Sequence, residues 1–237
     1  MTEETYTFVE KRPHLYALTE GHVLTWLLVG TEKAMLVDTA FGRADYKAEI
    51  AKITDLPVIL VNSHMHGDHA GGNDQFDVAY VGVNEPQDGR GVHPAKETIT
   101  VSEGHVFDLG GITVEVIEIP GHTPGSIGLL WVEEKLMITG DTINPQVLMH
   151  FPTCRPLSVF RDSMQHLIDL SDRWDVCLFS HGGAEFDVDF VKKLKQAADD
   201  VISGAKTGEL TETRWGEAML YQNDGVGFYY DAERLTA

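Results

Sequence analysis

The sequence predicts an α/β domain with a parallel or mixed sheet, and two observations support this. The continuous apolar run at residues 58–61 is typical of a buried strand, and it ends in a turn rich in histidine and glycine. A stretch with helical spacing of apolar residues, 43–53, separates this strand from an earlier one at 34–37. Such a strand–helix–strand connection joins parallel strands. We find no linker, repeat or composition shift in the 237 residues, so we expect one domain, 1–237.

Short apolar or alternating runs predict further strands on both sides of this unit. In the first half the predicted strands are 6–9, 15–18, 23–29, 34–37, 58–61 and 78–81, with a hairpin turn at 30–33. In the second half they are 98–101, 106–109, 112–119, 127–132, 136–139 and 176–179, with a hairpin turn at 110–111. Residues 84–94, between the two sets, are turn-rich and predict a surface loop.

The carboxyl-terminal part predicts helices and a hairpin. Apolar residues at helical spacing predict helices at 157–171 and 186–202. An Asn-Asp-Gly sequence at 223–225 predicts the turn of a hairpin that spans 215–230. Residues 144–156 contain three prolines and predict an irregular loop.

Composition restricts the partners. The formal net charge is −19, from 18 Lys and Arg against 37 Asp and Glu. Such an acidic surface repels phosphate backbones and anionic lipid, so we expect neither a nucleic-acid polymer nor a membrane as partner. A small-molecule substrate is the expectation that remains, acted on by a monomer or a homodimer.

The two cysteines, Cys154 and Cys177, form no C-x-x-C pair, and a disulfide framework is not expected. Residues 1–6 carry neither a basic nor an apolar segment typical of a signal peptide. No apolar run approaches the length of a membrane span. We therefore expect a cytoplasmic protein.

A cluster of candidate metal ligands follows the strand at 58–61. Its members are His64, His66, Asp68 and His69. Neutral imidazole and carboxylate groups are ligands that suit zinc, iron and manganese. Four such groups within six residues compete for solvation or repel one another, and a bound cation resolves both problems.

Three more candidate ligands follow other predicted strands. His122 lies between two Pro-Gly-type turns, and Asp141 and His181 each stand beside glycine at a strand end. Seven groups are too many for one tetrahedral metal and fit two divalent ions that share a carboxylate. Zinc is the first expectation, with iron or manganese as alternatives. Two metals about 3.5–4 Å apart activate a hydroxide and polarise a carbonyl or phosphoryl oxygen.

These residues resemble the motifs of the metallo-β-lactamase fold superfamily, in its glyoxalase II-like dinuclear hydrolase branch. The motifs are Asp38-Thr39, H-x-H-x-D-H at 64–69, the turn at 120–125, Gly140-Asp141 and Ser180-His181-Gly182. The resemblance implies a four-layer αββα sandwich of two mixed sheets with outer helices and the metals at one edge.

The same resemblance implies roles for the seven residues. His64, His66 and His122 would bind the first metal; Asp68, His69 and His181 would bind the second; Asp141 would bridge. Asp68 would also act catalytically, by orienting the attacking hydroxide or accepting a proton. We expect Asp38 to brace the site by hydrogen bonding rather than to bind metal.

At three positions this sequence differs from particular branches of the family, and these differences reduce the number of candidate reactions. True β-lactamases of this fold place a cysteine where Asp141 stands, homoserine-lactone hydrolases place a tyrosine where Asn144 stands, and flavin-linked di-iron enzymes place a glutamate where His66 stands. Hydrolysis of a small ester-type bond, in a thioester or a lactone, is the leading hypothesis. Hydrolysis of a small phosphodiester, and a mononuclear iron oxidoreductase of the sulfur dioxygenase type, stay open.

Four further residues are candidates for contact with substrate. His22 and Phe41 lie near strand ends that could border the site. His150 and Phe151 lie in the predicted loop 144–156, which follows the proposed bridging aspartate.

Overall fold

A computed structural model describes residues 6–237. Residues 1–5 lie outside the described residues. Most of the segment used for the signal-peptide expectation, and the start of the predicted domain 1–237, fall in this part. The described strands form three sheets.

The first sheet has seven strands, which neighbour one another in chain order. They are β1 (Val9–Arg12), β2 (Leu15–Glu20), β3 (Val23–Val29), β4 (Ala34–Val37), β5 (Val58–Val61), β6 (Val78–Gly82) and β7 (Glu97–Val101). The first four strands pair antiparallel. Helix α1 (Tyr46–Ala51) makes the crossover to β5, and β4 to β7 pair parallel. The mixed sheet predicted from the sequence is confirmed.

The second sheet has six strands in the order β14-β13-β11-β10-β9-β8. They are β8 (Val106–Asp108), β9 (Thr113–Glu118), β10 (Ile127–Trp131), β11 (Leu136–Ile138), β13 (Val176–Leu178) and β14 (Glu185–Phe186). Strands β11 and β13 pair parallel, and the remaining neighbours pair antiparallel.

Hydrophobic residues fill the space between these sheets and cover their outer faces. Leu28 and Val37 of the first sheet share a core cluster with Val114 and Leu129 of the second. Helix α1 packs on the outer face of the first sheet, where Tyr46 is fully buried. Helices α2 (Leu157–Asp169) and α3 (Val188–Ile202) pack on the outer face of the second sheet. The layers are therefore α, β, β and α, as expected.

A third sheet departs from the prediction. Its order is β12-β17-β16-β15, with β12 (Gln146–Met149), β15 (Glu209–Thr213), β16 (Gly216–Asn223) and β17 (Val226–Tyr230). The hairpin predicted at 215–230 is confirmed as β16 and β17. The irregular loop predicted at 144–156 is wrong at β12, which pairs parallel with β17. This pairing joins segments about 80 residues apart, so local sequence holds no signal of it.

Several predicted bounds also shift. The first strand lies at Val9–Arg12 rather than 6–9, because its residues pair with β2 in a hairpin closed near His14. Helix α3 starts at Val188, because Glu185–Phe186 pairs with β13 and the Asp187 side chain accepts hydrogen bonds from the amides of Asp189 and Phe190, both at 3.1 Å.

Two expectations from composition can be compared with the structure. Cys154 and Cys177 are both buried and free, and burial raises the pKa of each thiol to about 12. Within residues 6–237 no helix is both long enough and apolar enough to cross a membrane.

Candidate metal centre

The seven candidate ligands predicted from the sequence meet at one edge of the sandwich. Parallel strands β4 and β5 end before Asp38 and the 64–69 cluster, and parallel strands β11 and β13 end before Asp141 and His181. Their carboxyl ends therefore deliver these loops to the same side. The turn after β9 brings His122 to the same place.

A first group consists of three imidazole nitrogens. Nδ1 of His66 lies 3.2 Å from Nε2 of His64 and 2.9 Å from Nε2 of His122. Nitrogens bound to one tetrahedral zinc at 2.0–2.1 Å lie about 3.3 Å apart. The three atoms therefore stand close to the spacing that one ion requires.

A second group consists of Asp68, His69 and His181, whose ligand atoms lie within 4.8 Å of one another. Oδ2 of Asp68 lies 3.9 Å from Nε2 of His181. This group contains one carboxylate and two imidazoles, so it could hold a second divalent ion.

Asp141 lies between the two groups and faces both. Its Oδ2 is 2.9 Å from Nε2 of His181 and 3.8 Å from Nε2 of His122, while its Oδ1 is 3.5 Å from Nε2 of His69. Residues of both groups can thus share the one carboxylate.

Two buried atoms at the centre show that the residues fit a metal. Nε2 of His69 and Oδ1 of Asp141 are both buried, and neither has a hydrogen-bond partner within the described chain. A buried polar atom without a partner is costly, and a cation between these atoms removes that cost.

Backbone carbonyls orient the rings of His122 and His181. Nδ1 of His122 donates to the carbonyl of Leu148 at 2.7 Å, and Nδ1 of His181 lies 3.3 Å from the carbonyl of His22. Since the donor proton sits on Nδ1, the lone pair of Nε2 points to the centre.

Asp38 orients one histidine of each group. Its carboxylate accepts hydrogen bonds from Nδ1 of His69 at 2.9 Å and from the amide and hydroxyl of Ser63, both at 2.8 Å. The Ser63 hydroxyl lies 3.1 Å from Nδ1 of His64 and can accept its proton. Asp38 has a left-handed φ of 66°, which aspartate tolerates. The bracing contacts expected of this residue are present.

Burial keeps the first group uncharged. It lowers the pKa of His64 well below the usual histidine value, and the neighbouring His69 adds to this. It also lowers the pKa of His66 to about 3 and lowers that of His122. Neutral imidazole is the form that binds metal, so this group needs no deprotonation.

Carboxylates have the opposite effect on the second group. Burial opposes protonation of His69, but Asp141 and Asp68 raise its pKa well above the usual value. Burial likewise opposes protonation of His181, but its hydrogen bond with Asp141 raises its pKa overall. The two groups therefore differ in how strongly protons compete with a metal.

The residues predicted to contact substrate lie on two sides of the centre. On one side His22 stacks on His181 at 5.1 Å between ring centroids, and Phe41 meets the edge of His22 at 5.8 Å. On the other side Phe151 lies 5.7 Å from His66. His150 packs beside Phe151 at 4.6 Å, and both of its ring nitrogens are buried without a partner among residues 6–237.

Two residues of the site were not identified from the sequence. Trp215, 49% exposed, lies 5.3 Å from Phe151, and the guanidinium of Arg214 stands 3.9 Å over its ring. Glu85 belongs to the segment predicted as a surface loop, yet it is only 8% exposed and binds to the loops that carry His66 and His122. No local pattern distinguishes either residue, because the contacts are made by distant parts of the chain.

A cavity of about 570 Å³ adjoins the second group. His22 and His181 line it, and Leu24, Trp26 and Leu178 form one apolar wall. Lys11, Arg12 and Glu185 line the cavity as well and make another part of it charged. It can accept a small apolar group beside the candidate centre.

Comparisons with known proteins show which proteins this chain is similar to. The family profile described as metallo-beta-lactamase superfamily matches residues 18–181. An acyl-coenzyme A thioesterase of Bos taurus is 25% identical over 189 residues, which are 62% of this chain and 68% of that protein. A hydroxyacylglutathione hydrolase of Hyphomonas neptunium is 31% identical over 121 residues, which are 48% of this chain and 44% of that protein. A solved metallo-beta-lactamase from Pontibacter korlensis matches 81% of this chain and 98% of its own, with a TM-score of 0.64 and 16% identity.

Proposed function

The chain is a hydrolase of the metallo-beta-lactamase superfamily, and from this we propose its reaction. We propose that it hydrolyses a small-molecule thioester at a centre of two divalent metal ions. The observation that carries the proposal is the position of Asp141, whose two oxygens face both groups of candidate ligands. A carboxylate at that position can bridge two ions.

The proposed ligands are those implied by the sequence. His64, His66 and His122 would hold the first ion, which we propose to be zinc. Asp68, His69 and His181 would hold the second, and both ions would share Asp141. Two such ions would supply a hydroxide at neutral pH and polarise the carbonyl oxygen of the substrate.

Asp68 is the chain's own acid–base group in this proposal. Its side chain is 31% exposed, whereas that of Asp141 is 10% exposed, so Asp68 is the carboxylate of the centre that solvent reaches more easily. We assign to the Asp68 carboxylate the proton that is released as the hydroxide oxygen adds to the acyl carbon. The carbon–sulfur bond then breaks and the thiolate leaves with the electron pair.

A thioester is preferred to a lactone on two grounds. One of the relatives described above is named an acyl-coenzyme A thioesterase and the other a hydroxyacylglutathione hydrolase, and an acylglutathione is also a thioester. Position 144 holds asparagine, whereas homoserine-lactone hydrolases of this fold place a tyrosine there.

We propose that the acyl group occupies the cavity beside His22 and His181. Its apolar wall favours a hydrocarbon chain, whose burial contributes about 0.8 kcal/mol per methylene. Thr19 lines the cavity from an exposed position, so Thr19→Trp is expected to fill it without disturbing the core. This variant should lower kcat/KM for long-chain thioesters and leave acetyl thioesters nearly unchanged.

A substrate panel tests the proposal. Acyl-coenzyme A and acylglutathione thioesters, a lactone, a β-lactam and bis-p-nitrophenyl phosphate are assayed with the zinc-loaded protein and with Asp141→Ala. We expect thioester hydrolysis that Asp141→Ala abolishes. Turnover confined to lactones, β-lactams or phosphodiesters would overturn the substrate assignment. One iron per chain in the protein as purified, together with oxygen uptake, would instead support the oxidoreductase alternative.

A further inference from the structure

Glu85 is a buried acidic residue that the reaction described above does not use. It follows β6, and its side chain lies inside the protein although the surrounding loop is polar. Burial raises the pKa of its carboxyl group, while hydrogen bonds from three neighbours oppose this rise. Removing a carboxylate from water costs free energy, and hydrogen bonds with neighbouring groups are needed to offset that cost.

The two oxygens of Glu85 bind two different loops of the candidate centre. Oε1 accepts the amide proton of Met65, at 2.8 Å, and Met65 stands between His64 and His66 in the chain. Oε2 accepts the hydroxyl proton of Thr123 at 2.6 Å and the amide proton of Gly125 at 2.9 Å. Thr123 directly follows His122.

Close packing fixes the position of Glu85 itself. A Cβ atom at Gly125 would lie 2.5 Å from the amide nitrogen of Glu85, and one at Gly82 would lie 2.1 Å from the carbonyl oxygen of Gly125. The hydroxyl of Ser126, 2.6 Å from that of Thr123, completes the network. The turn that carries His122 therefore has little freedom to move relative to Glu85.

We propose that Glu85 is a positioning residue that sets the distance between His66 and His122 and so determines how tightly the first group holds its metal. The proposal rests on the two-metal function proposed above. The ion-binding nitrogens of these two histidines are 2.9 Å apart, yet 56 residues separate them in the chain. Glu85 joins both loops through a single side chain.

A carboxylate is needed because all three partners are donors. In Glu85→Gln the amide oxygen can replace one carboxylate oxygen, but the NH₂ group then faces a donor at the other. One loop is released while the size of the side chain is conserved. Changes to groups that orient metal ligands typically weaken metal binding by 10–100-fold.

Glu20 provides a matched control. It is fully buried and also accepts three hydrogen bonds, from the amides of Arg43 and Ala44 at 3.1 and 2.8 Å and from the hydroxyl of Tyr46 at 2.9 Å. These partners lie at the start of α1 or in the turn just before it and include no candidate ligand. Glu20→Gln should therefore lower the melting temperature of the metal-free protein as Glu85→Gln does, without changing zinc affinity.

Zinc titration against a chromophoric chelator at pH 7.5 tests the proposal on the full chain. We expect Glu85→Gln to weaken one of two zinc ions by 10–100-fold, with both ions of Glu20→Gln held as in the wild type. In a His122→Ala background, which removes the first group, Glu85→Gln should have no further effect on the ion that remains. Unchanged zinc affinities in Glu85→Gln, or equal weakening of both ions, would overturn the proposal.

A second pair of variants covers the case in which Glu85→Gln fails to fold. Thr123→Val removes one donor at nearly constant volume and should weaken the same ion, and Thr123→Ser should restore it. If Thr123→Val binds zinc like the wild type, the role of Glu85 fails. A wild-type protein that binds fewer than two ions is a different result, because it contradicts the proposed two-metal function.

Discussion

The carboxylate of Asp38 and the ring of His69 form a fully buried pair, with Oδ2 of the aspartate 2.9 Å from Nδ1 of the histidine. Through Ser63 the same carboxylate also reaches His64 of the other group. One residue that binds no metal in the proposed centre therefore orients a ligand in each half of it. This relationship makes Asp38 a sensitive position for both ions.

Asp38→Asn is predicted to weaken both ions. The amide NH₂ group would face a donor, either the Ser63 amide or His69, so at least one hydrogen bond is lost in a buried place. We expect a 10–100-fold loss of zinc affinity and a destabilisation of about 2–3 kcal/mol. Zinc titration and thermal unfolding measure these effects. Asp45→Asn, at an exposed helix cap, is the control and should change neither by much. If Asp38→Asn weakened the affinity for only one zinc ion, Asp38 would not orient ligands in both groups.

The two ions are predicted to respond differently to pH. The pKa values of His69 and His181 are raised without metal, so protons compete for these ligands around neutral pH. The pKa of His66 is lowered to about 3, so its group stays neutral down to acid pH. Between about pH 8 and about pH 6, the affinity for the second ion should fall as the pH falls. For each ligand that becomes protonated, the loss is up to about tenfold per pH unit. The affinity for the first ion should change little.

Zinc titrations at several pH values with metal-free protein check this order. The proton is the competitor, so the second ion should be the first to leave on acidification. Equal dependence of both affinities on pH would show that the two groups do not differ as their surroundings indicate.

Phe151 and Trp215 are predicted to bind substrate rather than to stabilise the fold. Phe151 touches His66 and His122, and Trp215 extends this aromatic surface outward while remaining half exposed. We expect Trp215→Ala to raise KM for thioesters several-fold, with kcat and the melting temperature little changed. Leu210→Ala, at a 67% exposed position of the same sheet, is the control and should leave KM unaltered. Steady-state kinetics that show no change in either variant would remove Trp215 from the substrate site.

Gly125 is predicted to tolerate no side chain. A Cβ atom there would meet the backbone nitrogen of Glu85 at 2.5 Å, so the turn beside His122 would have to move. Gly125→Ala should destabilise the fold by about 1–3 kcal/mol, as overpacking of a tight site does, and should weaken the first ion. In Gly89→Ala the nearest atom is a side-chain methyl of Val92 at 3.2 Å, and the cost should be smaller. Chemical denaturation curves compare the two variants.

Most of the candidate metal ligands could be predicted from the sequence because they follow the ends of strands. His64, Asp141 and His181 each stand three residues after the end of a strand. The short apolar runs that form these strands are a local signal of burial. The aligned carboxyl ends of parallel strands then bring the ligands together. The seven candidate ligands could therefore be predicted from the sequence.

The parts that could not be predicted depend on distant contacts. Strand β12 is four residues long and gains its partner only from β17 near the end of the chain. Glu85 has the sequence surroundings of a surface loop, and its burial follows from how Gly82 and Gly125 pack. Trp215 approaches Phe151 across 64 residues, and neither residue carries a local signal of the other.

The most direct test of the two-metal centre is the ratio of metal to protein, measured by inductively coupled plasma mass spectrometry on wild type dialysed after zinc loading. Six candidate ligands around a shared Asp141 predict two zinc ions per chain. A ratio of one, with His69 and His181 idle, would contradict the account.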